Sequence, residues 1–179
     1  MKLALPWWLE LEEGNIFCLH IPNGYHEDVG VLEDELLELA SGQGKVAIVS
    51  RPAGFGKRDG FFKNQSSVDW LSGAAGLSKQ QSNELISALG VRVAERVANN
   101  AGTPRCLMGL AASLMLSPDV IAYSTDGLDP EGCRRVHEFV ESRCGPLCAI
   151  HVSYPTQFGD GSPCPRLCPA GAQCVALAE

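Results

Sequence analysis

The sequence predicts an α/β fold with a mainly parallel sheet, and two observations predict it. Three short apolar runs, at residues 46–49, 119–123 and 147–152, have the length and composition of strands buried on both faces. In the second half of the chain these runs alternate with segments of helical spacing, an order typical of parallel strands joined by right-handed crossovers. At 179 residues, 45% of them apolar, the chain can bury one core. We expect one domain over residues 1–158 and a tail at 159–179.

The N-terminal segment predicts an antiparallel pair of strands ahead of this sheet. Residues 7–12 and 15–21 mix aromatic and β-branched residues with polar ones, without helical spacing, and a Glu-Gly turn separates them. Residues 32–40 fit two interpretations, because their composition favours a helix whereas Leu37 and Leu39 also fit the alternation of a strand.

The strongest helix signal follows residues 73–76, whose Gly-Ala-Ala-Gly sequence predicts a loop. Ser78 is a predicted N-cap, and Gln81 three residues later completes a capping box. Apolar residues at helical spacing continue this helix to Val93, up to the Asn-Asn-Ala-Gly break at residues 99–102.

Two further helices are predicted downstream. Pro104 fits the first turn of a helix that is apolar almost all round over residues 105–116, so this helix is expected to be buried. Asp129, followed by proline and glutamate, forms a helix start with an N-cap, a proline at the first position and an acidic first turn.

The first buried run continues into a Gly-rich loop that ends in Gly-Lys, which is how a phosphate-binding P-loop is built. Gly54, Gly56 and Lys57 are therefore candidates to bind nucleotide phosphates through backbone amides and an ammonium group. Arg51 and Arg58 occupy the places of the first glycine and of the metal-binding Ser or Thr of a working P-loop. The alternative is a loop that keeps the shape of a P-loop without binding nucleotide.

Taken in their order along the chain, these segments resemble the nucleotide-binding domain of ABC transporters. Residues 117–132 resemble the Walker B strand running into the D-loop, residues 105–116 the helix after the signature motif, and residues 149–154 the strand that ends in the switch histidine. The resemblance covers residues 16–158 and implies a P-loop (RecA-like) three-layer domain. It also favours a strand at residues 32–40.

The resemblance implies three more nucleotide-binding residues. Tyr25 lies about as far before the P-loop as the adenine-stacking aromatic residue of the family, and Gln65 matches the Q-loop glutamine. Asp129 matches the D-loop aspartate, although its role as a helix N-cap explains it equally well.

The chain departs from the family at its catalytic residues. Between Tyr123 and Ser124 the family has an Asp that holds magnesium and a Glu that positions water, and neither is present. Only Gly102 remains of the signature loop, and Tyr154 stands at the switch histidine position. Because phosphoryl transfer depends on such positioning and electrostatic stabilisation, we predict no ATP hydrolysis and no catalytic residue, although ATP or ADP binding stays open.

The tail is rich in Cys, Pro and Gly and is expected to be irregular. Its Cys164, Cys168 and Cys174, together with Cys144 or Cys148, could supply four thiolates to zinc or to an iron–sulphur cluster. The alternatives are ordinary thiols or a pair that oxidises.

The remaining cysteines and histidines carry weaker signals. Cys18, Cys106 and Cys148 stand in apolar stretches and are predicted to act as small hydrophobic residues. The four histidines form no cluster in the sequence, so none is predicted to be a ligand.

Charge and hydropathy limit the partners. A net charge of −7 argues against nucleic-acid binding, and no apolar run is long enough to span a bilayer. We expect a cytoplasmic protein, peripheral on the inner membrane face. The resemblance implies a non-hydrolysing or regulatory subunit of an ABC transport system, with an active ABC ATPase or a membrane permease as partner, or a homodimer. The alternatives are a cysteine-rich metal or redox protein and a scaffold domain.

Overall fold

The computed structural model confirms an α/β fold with a parallel sheet. It describes residues 14–20, 46–49, 65–125, 127–143, 145, 147–153 and 168–176. Within these residues the sheet has the strand order β2-β3-β4-β1-β5, and neighbouring strands pair in parallel throughout. The strands are β1 (Ile16–His20), β2 (Val46–Val49), β3 (Val120–Tyr123), β4 (Cys148–Ser153) and β5 (Gln173–Ala176).

The chain divides into two compact units, one formed by residues 1–50 and 118–179 and the other by residues 51–117. The first unit contains the sheet and one helix, and the second contains the other helices. The helices are α1 (Ser67–Ala75), α2 (Lys79–Ala88), α3 (Gly102–Leu114) and α4 (Pro130–Glu141), with a 3-10 turn at Val97–Asn99. No helix in these described ranges is long and apolar enough to cross a membrane.

The three apolar runs form adjacent strands of one sheet, as predicted. β2 pairs with β3 and β3 pairs with β4. Every residue of β3 is buried, and Ile121 and Ala149 are 0% exposed. β3 and β4 each have a neighbouring strand on both sides and are almost entirely buried, so they need apolar residues on both faces, which explains the continuous runs of these two strands.

The predicted antiparallel pair at the N-terminus is wrong. β1 lies within the predicted strand at residues 15–21, but it pairs in parallel with β4 on one side and with β5 on the other. Since both edges of β1 carry these neighbours, an antiparallel partner has no free edge to join. The other predicted strand, residues 7–12, lies outside the described residues, as do residues 32–40.

Local signals set the ends of the first helices. α1 begins after Ser66, whose Oγ accepts a hydrogen bond from the Asp69 backbone N–H at 3.0 Å. It ends at Gly76, which adopts the left-handed conformation with φ of 67°. The predicted loop at residues 73–76 is therefore wrong for all but its last residue, because only Gly76 uses the conformational freedom of glycine.

α2 has the predicted start and an earlier end. Ser78 and Gln81 form the reciprocal capping box. The helix stops at Ala88, however, and the predicted continuation to Val93 is wrong. Gly90 adopts a φ of 67°, and this left-handed residue ends the helix although the apolar spacing goes on.

The two downstream helices confirm their predictions. Pro104 lies in the first turn of α3, and residues 106–112 of this helix are all buried. Asp129 caps α4, with Pro130 at the first helical position. The tail differs from its prediction, since residues 173–176 are not irregular but form β5.

Candidate functional site

The carboxyl ends of β2 and β3 lie side by side, because Val49 pairs in parallel with Tyr123. In open parallel sheets, ligands bind beyond the carboxyl ends of the strands, and the predicted P-loop directly follows β2 in the sequence. Four predicted nucleotide-binding residues lie outside the described part of the chain: Tyr25, Gly54, Gly56 and Lys57.

Two predicted nucleotide-binding residues are described, one in each compact unit. The backbone carbonyl of Gln65 accepts a hydrogen bond from Val97 N–H at 3.1 Å. Its side-chain Oε1 is buried and has no hydrogen-bond partner among the described residues. Asp129 uses its Oδ1 to accept a hydrogen bond from Gly132 N–H at 2.7 Å. The helix-cap role of Asp129 is thus observed, whereas the D-loop role stays a prediction.

Two hydroxyl-bearing residues directly follow β3. Ser124 comes first and Thr125 second. Thr125 is only 6% exposed, and its Oγ1 lies 3.0 Å from Nε2 of His151 on β4. The first two positions beyond the strand therefore offer hydroxyls, and the second of these is engaged with a buried imidazole.

A row of polar residues crosses the sheet at one level. Tyr123 of β3 is in register with His151 of β4, His151 with Cys18 of β1, and Cys18 with Cys174 of β5. Successive residues of a strand point to opposite faces, so partners in register in a parallel sheet share a face. His20 lies two residues after Cys18 and joins the same face.

Contacts along this row link an imidazole pair to the first thiol. His137 of α4 meets His151 edge-on, with ring centroids 4.7 Å apart, and its Nδ1 lies 3.1 Å from the Tyr123 hydroxyl. On the other side of the His151 ring, Nδ1 lies 3.3 Å from Sγ of Cys18. The row is therefore a connected polar layer and not a set of separate buried groups.

His151 is neutral at physiological pH. Burial, assisted by the neighbouring His137 and His20, lowers its pKa to about 3. A neutral imidazole has one N–H donor and one acceptor nitrogen. When Nε2 accepts from the Thr125 hydroxyl, Nδ1–H is left to donate to the Cys18 sulfur.

Beyond Cys18 the row ends in a cluster of sulfur and nitrogen atoms. Cys168 Sγ lies 2.7 Å from Cys18 Sγ, 3.7 Å from His20 Nε2 and 3.7 Å from Cys174 Sγ. The ligand atoms of Cys18, His20 and Cys168 all lie within 4.8 Å of one another. We call Cys18, His20, Cys168 and Cys174 the cysteine–histidine cluster.

Burial changes from one end of the cysteine–histidine cluster to the other. Cys18 is 0% exposed, His20 and Cys168 are half-buried, and Cys174 is exposed. Burial raises the pKa of the Cys18 thiol strongly, with further contributions from Cys168 and Cys174, and burial lowers the pKa of His20. Without a cation, the inner thiol is protonated and His20 tends to be neutral.

The predicted metal ligands are partly brought together. Cys168 and Cys174 are neighbours, while Cys144 and Cys164 lie outside the described residues, so metal binding by this set stays a prediction. Cys148 lies on β4 three residues before His151, and this odd separation places it on the opposite face of the sheet from the cluster.

Two cluster members were missed by the sequence analysis. Cys18 is buried as predicted, but its sulfur contacts polar atoms, and His20 was not predicted to be a ligand. The available signal was their spacing of two, which places both side chains on the same face of a strand. The group they join is about 150 residues away in the sequence.

Comparison with known proteins shows the fold. No family model matches the chain, and no curated protein sequence matches it significantly. The structure resembles that of cbiO1 from Clostridium perfringens, described as part of the ABC transporter complex cbiONQ, with a TM-score of 0.55 and 12% sequence identity. The match covers 86% of this chain and 76% of that chain.

A second similar structure is described as an inward-facing conformation of a metal-chelate type ABC transporter. The TM-score is 0.58, the sequence identity is 14%, and the match covers 81% of this chain. It covers 64% of that chain, so this protein spans less than two thirds of that structure's length. At such low identity, both similarities concern the fold alone: an α/β fold with a parallel sheet.

Proposed function

We propose that this chain is a catalytically inactive homologue of the ABC transporter nucleotide-binding domain. The observation that carries the proposal is the carboxyl edge of the sheet. β2 and β3 are parallel neighbours there, and the residues directly after β3 are Ser124 and Thr125, both hydroxyl-bearing. A parallel α/β sheet like that of a nucleotide-binding domain is thus combined with the loss of the two carboxylates that the family has between Tyr123 and Ser124.

The absence of hydrolysis follows from the chemistry of these positions. In ATPases of this type, carboxylates after the strand hold magnesium and position the attacking water, and the charge of the transferring phosphoryl group must be neutralised. A neutral threonine hydroxyl bonded to His151 supplies neither negative charge for the metal nor a base for the water. The chemical step therefore lacks its main source of stabilisation.

Nucleotide binding is a separate part of the proposal. Gly54, Gly56 and Lys57 retain the residue types that cradle phosphates. Gln65 carries a buried Oε1 without a partner among the described residues, which fits a side chain that completes its hydrogen bonds with a ligand or with water. We infer that the chain holds ATP or ADP without turning it over.

Such a domain would act as a regulatory or non-hydrolysing subunit. The two similar structures are described as parts of ABC transporters, so we propose an active ABC ATPase subunit or a membrane permease as the partner, with a homodimer as the alternative assembly. This role would place the chain in the cytoplasm, peripheral to the membrane.

Thermal unfolding with and without nucleotide tests the proposal. Ligand at about 100 times its Kd adds about 2.7 kcal/mol to the free energy of unfolding, or about 5 to 11 °C in Tm for a chain of this size. We expect ATP and ADP to raise Tm with little dependence on Mg²⁺, and phosphate to stay at background in the same samples. Phosphate release that depends on Mg²⁺ would refute the inactivity.

Two lysine variants make this test specific. Lys57→Ala removes the predicted phosphate-binding ammonium, whereas Lys79→Ala removes an equal charge from an exposed ion pair with Asp69 on α1. We expect the Tm increase with ATP to disappear in the first variant and to remain in the second. Equal shifts in both would show that the nucleotide does not bind at the predicted P-loop.

A further inference from the structure

We propose that Cys18, His20, Cys168 and Cys174 bind one zinc ion that joins the C-terminal strand to the sheet. The four residues come from three positions in the fold: Cys18 and His20 from β1, Cys174 from β5, and Cys168 from the segment just before β5. Three thiols and one imidazole form one of the donor sets that structural zinc sites use.

Backbone pairing places three of the ligands on adjacent strands. Cys18 and His20 share a face of β1 because they are two residues apart. Cys174 is the register partner of Cys18 on β5. Since β-sheet pairing already fixes the backbone at these three positions, metal binding has to order their side chains and Cys168.

Two distances from Cys168 fit a tetrahedral site, whereas Cys174 lies outside the group of ligand atoms that are all within 4.8 Å of one another and would move closer to complete the site. With zinc–sulfur bonds of about 2.3 Å and zinc–nitrogen bonds of about 2.0 Å, ligand atoms around a tetrahedron are about 3.5 to 3.8 Å apart. Cys168 Sγ lies 3.7 Å from both Cys174 Sγ and His20 Nε2. The contact between Cys168 and Cys18 is shorter, at 2.7 Å, so these sulfur atoms would move apart by about 1 Å on metal binding.

A buried hydrogen-bond chain supports the innermost ligand. Metal-binding groups are oriented by a second layer of hydrogen bonds, and this layer strengthens binding. His151, only 1% exposed, places Nδ1 3.3 Å from Cys18 Sγ, and Thr125 fixes the other ring nitrogen at 3.0 Å. The Cys18 thiolate would thus receive an N–H donor at a site that water does not reach.

The charge balance favours a soft divalent cation. Three thiolates and a neutral imidazole carry a charge of about −3, which a divalent ion reduces to about −1. A coordinating thiol is deprotonated when it binds the metal, so zinc binding here would release the thiol protons. Thiolate and imidazole donors select zinc over magnesium or calcium, and four protein ligands leave no open position for substrate.

A zinc ion here would add a cross-link to a short strand. β5 is four residues long and lies at the edge of the described sheet, with β1 as its neighbour. Two ligands on β1 and two at or before β5 would cross-link the two strands. The inferred role is therefore structural, independent of the nucleotide site.

The test uses the full-length protein without an affinity tag, purified anaerobically under reducing conditions. We expect about one zinc per chain by elemental analysis. After removal by a chelator, titration with cobalt(II) should give the visible absorption bands of tetrahedral thiolate coordination. Purified protein that contains no zinc and gives no cobalt bands would overturn the proposal. A protein mass two hydrogen atoms lower than that of the reduced chain, with the difference located at a Cys18–Cys168 disulfide, would overturn it as well.

Serine variants assign the ligands. Cys168→Ser and Cys174→Ser change half-buried and exposed positions, so both should fold, which circular dichroism would confirm. We expect zinc affinity to fall by more than about 100-fold in each, a larger loss than for a residue that only orients a ligand. Cys106→Ala, which removes a buried thiol of α3, is the matched control and should keep its zinc. Unchanged zinc affinity in both serine variants would overturn the site.

Discussion

Replacing Asp129 separates its observed role as a helix cap from its predicted role in nucleotide binding. At the start of α4, Pro130 has no N–H group, and the Cys133 N–H is bonded to the Asp129 carbonyl at 2.9 Å. The Asp129 carboxylate accepts from Gly132 N–H at 2.7 Å. Asp129→Ala removes this acceptor, whereas Asp129→Asn keeps an oxygen in nearly the same place.

The two variants should differ in their free energy of unfolding. Loss of an N-cap side chain costs about 1 kcal/mol, within a range of about 0.5 to 2, and this lowers Tm by about 2 to 4 °C per kcal/mol for a chain of this size. Asparagine is as good an N-cap as aspartate, so Asp129→Asn should stay within about 0.5 kcal/mol of the parent.

Urea unfolding followed by circular dichroism measures both variants. An alanine variant as stable as the parent, or an asparagine variant as destabilised as the alanine variant, would refute the capping argument. The D-loop role predicts a separate effect: weaker ATP binding in Asp129→Asn at unchanged stability.

Three further predictions concern packing, backbone conformation and protonation. Leu71→Ala should lower the free energy of unfolding by about 2 to 5 kcal/mol, because Leu71 is 0% exposed within the cluster of Ala75 and Ala112. The control is Ser87→Ala at an exposed position. Equal urea midpoints for the two variants would contradict the packing argument. Gly90→Ala should cost about 1 to 2 kcal/mol in the same assay, since the φ of Gly90 is 67° while its surroundings leave room for a Cβ; an unchanged midpoint would refute the backbone argument. The folded-state pKa of His151 is about 3, below its ordinary value of 6.5, so the unfolded chain takes up a proton first and stability falls as pH drops through 6.5 toward 3. In protein treated with a chelator, the free energy of unfolding should fall by about 1.4 kcal/mol per pH unit below about pH 6, and this fall should be absent from His151→Gln. Identical pH slopes for the parent and the variant would contradict this prediction.

The central strands could be predicted because their signal is local. A continuous apolar run bounded by turn residues indicates a buried strand without knowledge of its neighbours, and this held for β2, β3 and β4. The start of α4 was also predictable, since an Asp-Pro-Glu sequence contains its own capping chemistry.

The pairing of β1 was not predictable from local sequence. A nearby turn favoured a hairpin, but β1 instead pairs with β4, more than 120 residues further on. Its other partner, β5, stands in a segment of Cys, Pro and Gly that has weak strand propensity. Tertiary pairing with an available sheet edge overrides that propensity.

The cysteine–histidine cluster was missed for the same physical reason. Cys18 and Cys168 are separated by 150 positions, and they meet because β1 and β5 are adjacent strands. Spacing along the chain indicates a metal site when the ligands share one loop or hairpin. It carries no such signal when the fold itself assembles the ligands.

Equilibrium dialysis against labelled ATP, followed by chromatographic identification of the bound nucleotide, tests the proposed function most directly. We expect about one bound nucleotide per chain, still recovered as ATP after incubation with Mg²⁺. Binding should be lost in Lys57→Ala and kept in Lys79→Ala. Recovery of bound ADP with free phosphate would contradict the proposed inactivity, and the absence of bound nucleotide would contradict nucleotide binding itself.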